Sequence, residues 1–250
     1  TLQAWIRKIY ELAAEEAFSY AAPGQKSYSY FAMRGEWEKA EEIRADFERM
    51  TFRPPTVIRD GILYADRRAF ESAAVAELPE NFLQMSRFES DGSARLDNVK
   101  WSPAGDLCVT GWANVKFADS DSENLDIAVV LRSLDGEIEI PGIVERRLSE
   151  RPDYVNGYPH ADHRGSYFSV SWPQAALAEG LRGGARLGLQ ADLRMGEFTA
   201  TARVPYWTSD GSRNALKWKA PRGRAAAYVS DTYGLLVTEA RARRESEETV

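Results

Sequence analysis

The residues best suited to hold a metal ion lie in one short segment, Pro159-His160-Ala161-Asp162-His163. Imidazole and carboxylate groups are common ligands of zinc and other divalent metals, and Asp153 could complete such a set. The surrounding Pro, Gly and Asn residues predict a loop, with no helix to present His160 and His163 on one face. The sequence therefore favours exposed loop histidines, and it leaves His160, Asp162 and His163 as minor candidate ligands with no cofactor expected.

A second cluster of candidate ligands, Asp119-Ser120-Asp121-Ser122-Glu123, alternates carboxylates as calcium-binding loops do. An EF-hand loop beginning at Asp119 would need Gly at its sixth position and Glu at its twelfth, where Asn124 and Val130 stand. We interpret this cluster as a solvated loop between two strands.

The sequence shows no activated nucleophile. Its one cysteine, Cys108, lies in an alternating, strand-like stretch without a neighbouring histidine, and we expect a buried, unreactive thiol. Neither Gly-x-Ser-x-Gly nor a P-loop spacing occurs. We assign no catalytic residue, and the sequence leaves open whether the chain belongs to an enzyme.

Five aromatic residues are candidates for contact with a carbohydrate or with a protein partner. They lie near predicted loops or on a strand face opposite the aliphatic one: Trp112, Tyr154, Tyr158, Tyr206 and Trp207. Flat apolar rings with a polar edge suit sugar faces and protein interfaces alike. Trp101, Trp112 and Trp172 could instead fill the interior of a β-sandwich. The sequence therefore leaves three roles open for the aromatic residues: packing in the core, contact with another subunit and contact with a carbohydrate.

The composition limits the class of partner. The chain has 250 residues, 32 of them basic and 38 acidic, with a formal net charge of −6. This balance argues against the concentrated basic face that binds nucleic acid. The apolar runs are far shorter than the ~20 residues that span a bilayer, and a single cysteine fits a reducing compartment. We expect the protein to be cytoplasmic, with the inner face of the membrane as one location. We also expect the chain to be a piece of a longer one.

Residues 1–58 are predicted to form a helical linker. Apolar residues at helical spacing predict one helix over residues 2–20, which Pro23-Gly24 ends, and a second over residues 36–50.

Residues 59–93 are predicted to form an ordered transition segment. Arg59-Asp60-Gly61 predicts a turn, and Ile62-Leu63-Tyr64 predicts a short strand. The apolar content of the segment is too high for a free linker, so we expect it to lie against a neighbour.

Residues 94–240 are predicted to form an antiparallel β-sandwich, immunoglobulin-like or jelly-roll-like, before a frayed charged tail at 241–250. A hairpin around Ser102-Pro103-Ala104-Gly105-Asp106 opens it, and side chains from Leu107 to Val115 alternate with a period of two. Another pair of strands flanks Met195-Gly196. Further short strands are predicted at residues 125–132, 137–140, 166–172, 215–219, 226–229 and 234–238.

Several stretches resemble the region that follows the catalytic module in actinobacterial family 2 glycosyltransferases. They are residues 59–66 (RDGILYAD), 97–101 (DNVKW) and 107–113 (LCVTGWA), and residues 228–237 (YVSDTYGLLV) resemble the closing strands of that family. Related stretches occur in teichoic-acid-type glycosyltransferases and CDP-glycerol glycerophosphotransferases. The resemblance implies a helical linker followed by an immunoglobulin-like sandwich.

The function that the resemblance implies is that of a non-catalytic accessory region. The matching residues are packing and turn residues, so no catalytic residue of the family is transferred. The resemblance implies oligomerisation, scaffolding or positioning of the acceptor polymer in a teichoic-acid or capsule type of glycosyltransferase. Its implied partners are a second copy or a transferase domain, and cell-wall polysaccharide. The alternative is a carbohydrate-binding module that uses exposed aromatic residues.

Overall fold

The computed structural model describes residues 15–118, 124–147, 163–182, 184–203, 217–219, 225–230 and 234–239. A small helical region precedes two facing antiparallel sheets, which confirms the predicted β-rich sandwich class. The helices are α1 (Glu15–Tyr20), α2 (Pro23–Arg34), α3 (Trp37–Arg49), α4 (Glu80–Leu83), α5 (Arg87–Ser90) and α6 (Gln174–Gly180). The strands are β1 (Thr56–Arg59), β2 (Ile62–Ala65), β3 (Gly92–Trp101), β4 (Leu107–Val115), β5 (Asp126–Ser133), β6 (Glu139–Pro141), β7 (Ile143–Arg147), β8 (Tyr167–Trp172), β9 (Arg186–Met195), β10 (Phe198–Arg203), β11 (Lys217–Lys219), β12 (Ala225–Ser230) and β13 (Gly234–Glu239).

Helices α2 and α3 pack against each other, and the helix predicted over residues 36–50 is confirmed by α3. Helix α1 ends at Tyr20, where the first predicted helix ends, whereas α2, which begins at Pro23, was not predicted. Proline is favoured at the first helical position, where its missing N–H would have no partner in the helix anyway. Gly24 permits the close packing, since a Cβ there would lie 3.2 Å from the Phe47 ring. Within the described residues no helix is long and apolar enough to cross a bilayer.

Strands β1 and β2 form a hairpin that links the helices to the sandwich. Asp60 and Gly61 form its turn with φ values of 49° and 70°, as a two-residue hairpin loop requires. The predicted turn and the predicted strand at residues 62–64 are therefore confirmed. The Thr56 hydroxyl donates to the Phe117 carbonyl at 2.6 Å and so joins this hairpin to the sandwich.

The smaller sheet of the sandwich has the strand order β3-β4-β8-β7. Its first two strands are the predicted hairpin, with a register shift between Leu96 and Asn98 that makes Asp97 a bulge. Gly111 lies opposite this bulge, where a Cβ would come within 2.2 Å of the Arg95 carbonyl oxygen. Only a glycine lets the two backbones approach this closely.

The larger sheet has seven strands, in the order β11-β12-β13-β9-β5-β6, with β10 also paired to β9. Strand β9 pairs with β5 along one edge, and along its other edge it pairs first with β13 and then with β10. The predicted strands around Met195-Gly196 are β9 and β10.

The chain passes from the larger sheet to the smaller one between β6 and β7. Pro141 ends β6, the Gly142 N–H donates to the Val129 carbonyl of β5 at 2.8 Å, and Ile143 begins β7. Beside this crossover, the indole N–H of Trp172 donates to the Ile140 carbonyl at 3.0 Å. One continuous stretch therefore joins the two sheets at this edge.

The hydrophobic core is continuous from the helices through both sheets. Between the sheets it consists mainly of aliphatic side chains, with Phe168 and Trp172. The sandwich side chains that are buried there include Leu96, Val99, Leu107, Val109, Val170, Val129, Leu131, Leu187, Leu189, Leu193 and Val237.

Candidate functional site

The side of the smaller sheet that faces away from the core is a candidate binding surface, which we call the outer polar face. Its side chains are Arg95, Asn98, Lys100, Cys108, Thr110, Trp112, Tyr167, Ser169, Ser171, Glu145 and Ile143. The strand register arranges these residues in rows. Trp112 lies directly between Arg95 and Tyr167, and the next row places Thr110 between Asn98 and Ser169.

The middle of the outer polar face consists of small polar side chains. Thr110, Ser169 and Ser171 are each half-buried, so their hydroxyl groups lie at a surface that solvent reaches. Cys108 is half-buried as well, and the prediction of a buried thiol is wrong because its strand turns the side chain away from the core.

Trp112 lies at one end of the outer polar face, and its side chain is only 6% exposed. Its indole N–H is buried and has no hydrogen-bond acceptor in the part of the chain that the structure describes. An unsatisfied buried donor is uncommon in folded proteins and requires an explanation. Whether Trp112 contacts a carbohydrate or a partner stays a prediction.

His163 lies beside this end of β4, and its side chain is 1% exposed. The Asn114 side-chain amide donates to its Nδ1 across 3.1 Å, and this bond occupies one of the two ring nitrogens. The prediction of an exposed loop histidine is therefore wrong for His163, because its ring pairs with a buried strand residue. Among the described residues, no three His, Cys, Asp or Glu side chains form a group that could hold a metal ion.

The remaining candidate residues lie outside the described residues. They are Tyr154, Tyr158, His160, Asp162, Tyr206 and Trp207, together with the acidic cluster 119–123. Their predicted roles stay predictions.

A second candidate surface lies on the helical region and carries exposed aromatic rings. Phe88 is 61% exposed and lies 5.3 Å from the Tyr20 ring, while Phe52 is 58% exposed. Phe52 borders an open cavity of about 520 Å³. We call the adjacent rings of Tyr20 and Phe88 the aromatic surface. Exposed apolar rings that lie close together commonly mark contact sites for another molecule.

Buried charges in the helical region hold the transition segment in place. The Lys26 ammonium donates to the Gln84 carbonyl and lies 4.9 Å from the centre of the Phe18 ring. Burial lowers the pKa of Lys26 to about 8, an effect that nearby Glu89 partly opposes.

The Asp46 carboxylate accepts hydrogen bonds from the backbone N–H groups of Glu71 and Ser72, at 3.1 and 2.9 Å. Burial alone would raise the pKa of Asp46, but these bonds and the Arg49 guanidinium outweigh burial and hold the pKa below its usual value. Lys26 and Asp46 therefore act as structural anchors.

Comparison with solved structures finds a fold similarity to TarS of S. aureus. A crystal structure of TarS residues 217–571 aligns with a TM-score of 0.46 and 9% sequence identity, over 95% of this chain and 61% of that chain. A second crystal structure of TarS aligns with a TM-score of 0.41 and 9% identity, over 95% of this chain and 38% of that chain. The chain thus spans less than two thirds of either structure. No family model and no curated protein sequence matches the chain.

Proposed function

We propose that this chain is a non-catalytic accessory region of a cell-envelope glycosyltransferase, of the teichoic-acid or capsule type, and that it acts in self-association and scaffolding. The observation that carries the proposal is the continuous core, which makes the helices, the transition segment and the sandwich one packed body. Such a body can hold an attached module at a fixed distance and orientation. The family resemblance of residues 59–66, 97–101 and 107–113 supports the type of parent enzyme.

The aromatic surface is the contact that we assign to self-association. Aromatic residues are enriched in protein interfaces because they bury a large area with few rotatable bonds. Arg87 extends this surface, since its guanidinium lies 5.6 Å from the centre of the Tyr20 ring. A second copy of the chain would cover rings that are otherwise in contact with water.

Size-exclusion chromatography with light scattering tests this proposal. We expect the 250-residue chain to form a dimer or larger oligomer at tens of micromolar, and Phe88→Glu to shift it toward the monomer. The matched control is Leu134→Glu, because Leu134 is also exposed but lies on the sandwich, between β5 and β6. A strict monomer at the highest concentration would overturn the proposal, and equal dissociation by both variants would overturn the assignment of the surface.

A further inference from the structure

The open cavity beside Phe52 lies between the start of α2 and the end of α3. Its volume is about 520 Å³, and cavities of roughly 300–1,000 Å³ with mainly apolar walls commonly bind small organic molecules. Three aromatic side chains line it. Phe47 is 1% exposed and lies at the base, Tyr28 is half-buried, and Phe52 stands at the mouth. The cavity therefore has the size and the composition of a ligand site.

The backbone at the mouth of the cavity is strained. Thr51 and Phe52 have φ values of 52° and 57°, a left-handed conformation that β-branched and bulky residues rarely adopt. The Thr51 N–H donates to the Glu48 carbonyl at 2.8 Å, and the Phe52 N–H donates to the Phe47 carbonyl at 2.6 Å. These bonds hold the strained conformation, which is a feature found most often at functional sites.

The strained backbone presents an apolar ring to water, because the Phe52 side chain is 58% exposed. Strain and apolar exposure both cost free energy. A molecule that covered the ring would remove it from water and so recover part of that cost. The mouth of the cavity is therefore the place where bound apolar material would be stabilised most.

The charged side chains that line the cavity already have partners within the chain. Arg44 donates to Glu41 at 2.7 Å and forms an ion pair with Glu48. The Glu89 carboxylate accepts hydrogen bonds from the N–H and the hydroxyl of Ser86, at 2.8 and 2.6 Å. An ionic ligand would have to compete with these bonds, whereas an uncharged ligand would leave them intact.

Other cations lie near the cavity without lining it. Lys26 is 1% exposed, and its ammonium is bound to the Gln84 carbonyl. Arg87 is bound to the aromatic surface, and Arg53, which follows Phe52, is exposed to water that screens its charge. The charges around the cavity therefore also give no advantage to an anionic ligand.

We propose that this cavity binds a small, uncharged aromatic molecule, a binding role that goes beyond self-association and does not depend on it. Aromatic rings attract one another by more than their buried area alone predicts, in offset or edge-to-face contacts. Tyr28 on α2 and Phe52 after α3 offer such contacts from two separate segments. A molecule held between them would keep the ionic bonds of the walls in place.

Fluorescence titration of the 250-residue chain with N-phenylnaphthylamine, an uncharged aromatic probe that brightens in apolar surroundings, tests the inference. We expect saturable binding of one probe per chain. Phe52→Ala should make the dissociation constant about threefold to tenfold larger, because it removes the ring at the mouth. Ser29→Phe, which fills the cavity from α2, should weaken binding as well. Circular dichroism verifies that each variant is folded.

Anilinonaphthalene sulfonate is the matched ligand, because it has the same rings and adds a negative charge. We expect it to bind more weakly than the uncharged probe. Trp37→Ala is the matched control variant, since Trp37 is an exposed aromatic residue of α3 that does not line the cavity. Absence of saturable binding, equal weakening by Trp37→Ala and Phe52→Ala, or equal affinity for the two probes would each overturn the inference.

The titration also separates this inference from self-association. The Phe88→Glu variant should bind the uncharged probe as the unmodified chain does, whether or not the chain forms oligomers. Displacement of the probe as the protein concentration rises into the range of self-association would show that a second copy fills the cavity, and it would overturn the inference. Failure of self-association and failure of probe binding are therefore separate results.

Discussion

The helical region and the sandwich are stabilised by different kinds of buried contact. Three buried charged side chains are found in the described residues, Lys26, Asp46 and Asp66, and all of them precede β3. The buried side chains of the sandwich are mainly aliphatic and aromatic, and its buried polar residues carry amide, hydroxyl or imidazole groups. Hydrogen bonds of charged side chains stabilise the irregular transition segment, whereas close packing of apolar side chains stabilises the two sheets.

This difference follows from the backbone of each region. A sheet satisfies its own N–H and C=O groups, so its interior needs only apolar side chains. The transition segment has short 3₁₀ turns, and its backbone groups must find partners elsewhere. Arg67 donates to the Val75 carbonyl at 2.6 Å, and Asp46 accepts from Glu71 and Ser72. The pH dependence of stability should therefore originate mainly in the helical region.

The largest effect is expected from Trp172→Ala in the sandwich. The ring is fully buried beside the crossover between the sheets, and its removal leaves a cavity and an unpaired Ile140 carbonyl. We expect the free energy of unfolding to fall by about 3–5 kcal/mol in urea titrations. Trp37→Ala is the control, because Trp37 is 43% exposed and its loss should change stability by less than about 0.5 kcal/mol. Equal effects of the two substitutions would contradict the assigned core.

Asp46→Ala should destabilise the helical region by about 2–3 kcal/mol, because it leaves two backbone N–H groups without their charged acceptor. The exposed Glu38→Ala serves as the control and should have little effect. The lowered pKa of Asp46 means that its contribution is present above about pH 4, the unfolded-state pKa, and is lost as the pH falls through the folded-state value. Chemical unfolding from pH 7 down to pH 2 should show this loss, and Asp46→Asn should reduce it. An unchanged acid profile in Asp46→Asn would contradict this role.

Gly111→Ala should cost about 1–3 kcal/mol, because the new methyl group would clash with the Arg95 carbonyl across the bulge. Gly188→Ala on β9 is the matched control, since a Cβ there meets its nearest atom at an ordinary 3.6 Å. Thermal unfolding of both variants compares the two sites. A drop in melting temperature for Gly188→Ala as large as that for Gly111→Ala would show that the bulge does not require glycine.

A pH dependence of stability is also expected from Lys26. Its pKa falls from 10.5 to about 8 on folding, so between these values the unfolded state binds more protons than the folded state. The free energy of unfolding should therefore rise as the pH increases from about 8 to 10.5. The matched variant Lys26→Met should reduce this rise in urea titrations over the same range. Identical profiles of the two proteins would disprove the assignment.

The strands with a clear apolar–polar alternation were predictable from sequence. Strands β8, β9 and β10 each bury one set of alternate side chains, and the first half of β4 does the same with Leu107 and Val109. Strand β7 was not predicted, because its five residues IVERR include three charged side chains and show no apolar alternation. The pairing of β5 with β9 joins segments about sixty residues apart, and a local pattern contains no information on such a pair.

Helix α2 was missed because its buried positions include polar residues. Lys26 and Ser27 face the core, where the Ser27 hydroxyl donates to the Phe82 carbonyl at 3.3 Å. A search for an apolar stripe treats such positions as solvent-exposed. Only tertiary contacts, which the sequence does not display, make them favourable.

The candidate site was predictable only in part. Alternation correctly placed Trp112 on the face opposite the aliphatic side chains, and it placed Tyr167, Ser169 and Ser171 together on one face of β8. It could not show that these two strands are neighbours. The strand register supplies that information, and with it the row that joins Arg95, Trp112 and Tyr167.

The crossover at Pro141 and Gly142 also has a mechanical consequence. A force that pulls the two sheets apart would act on this short covalent connection and on the Trp172–Ile140 bond before it reached the aliphatic interior. The covalent link cannot lengthen without peeling β6 from β5 or β7 from β8. At this edge, the force needed to separate the sheets therefore depends on the backbone hydrogen bonds of β6 with β5 and of β7 with β8.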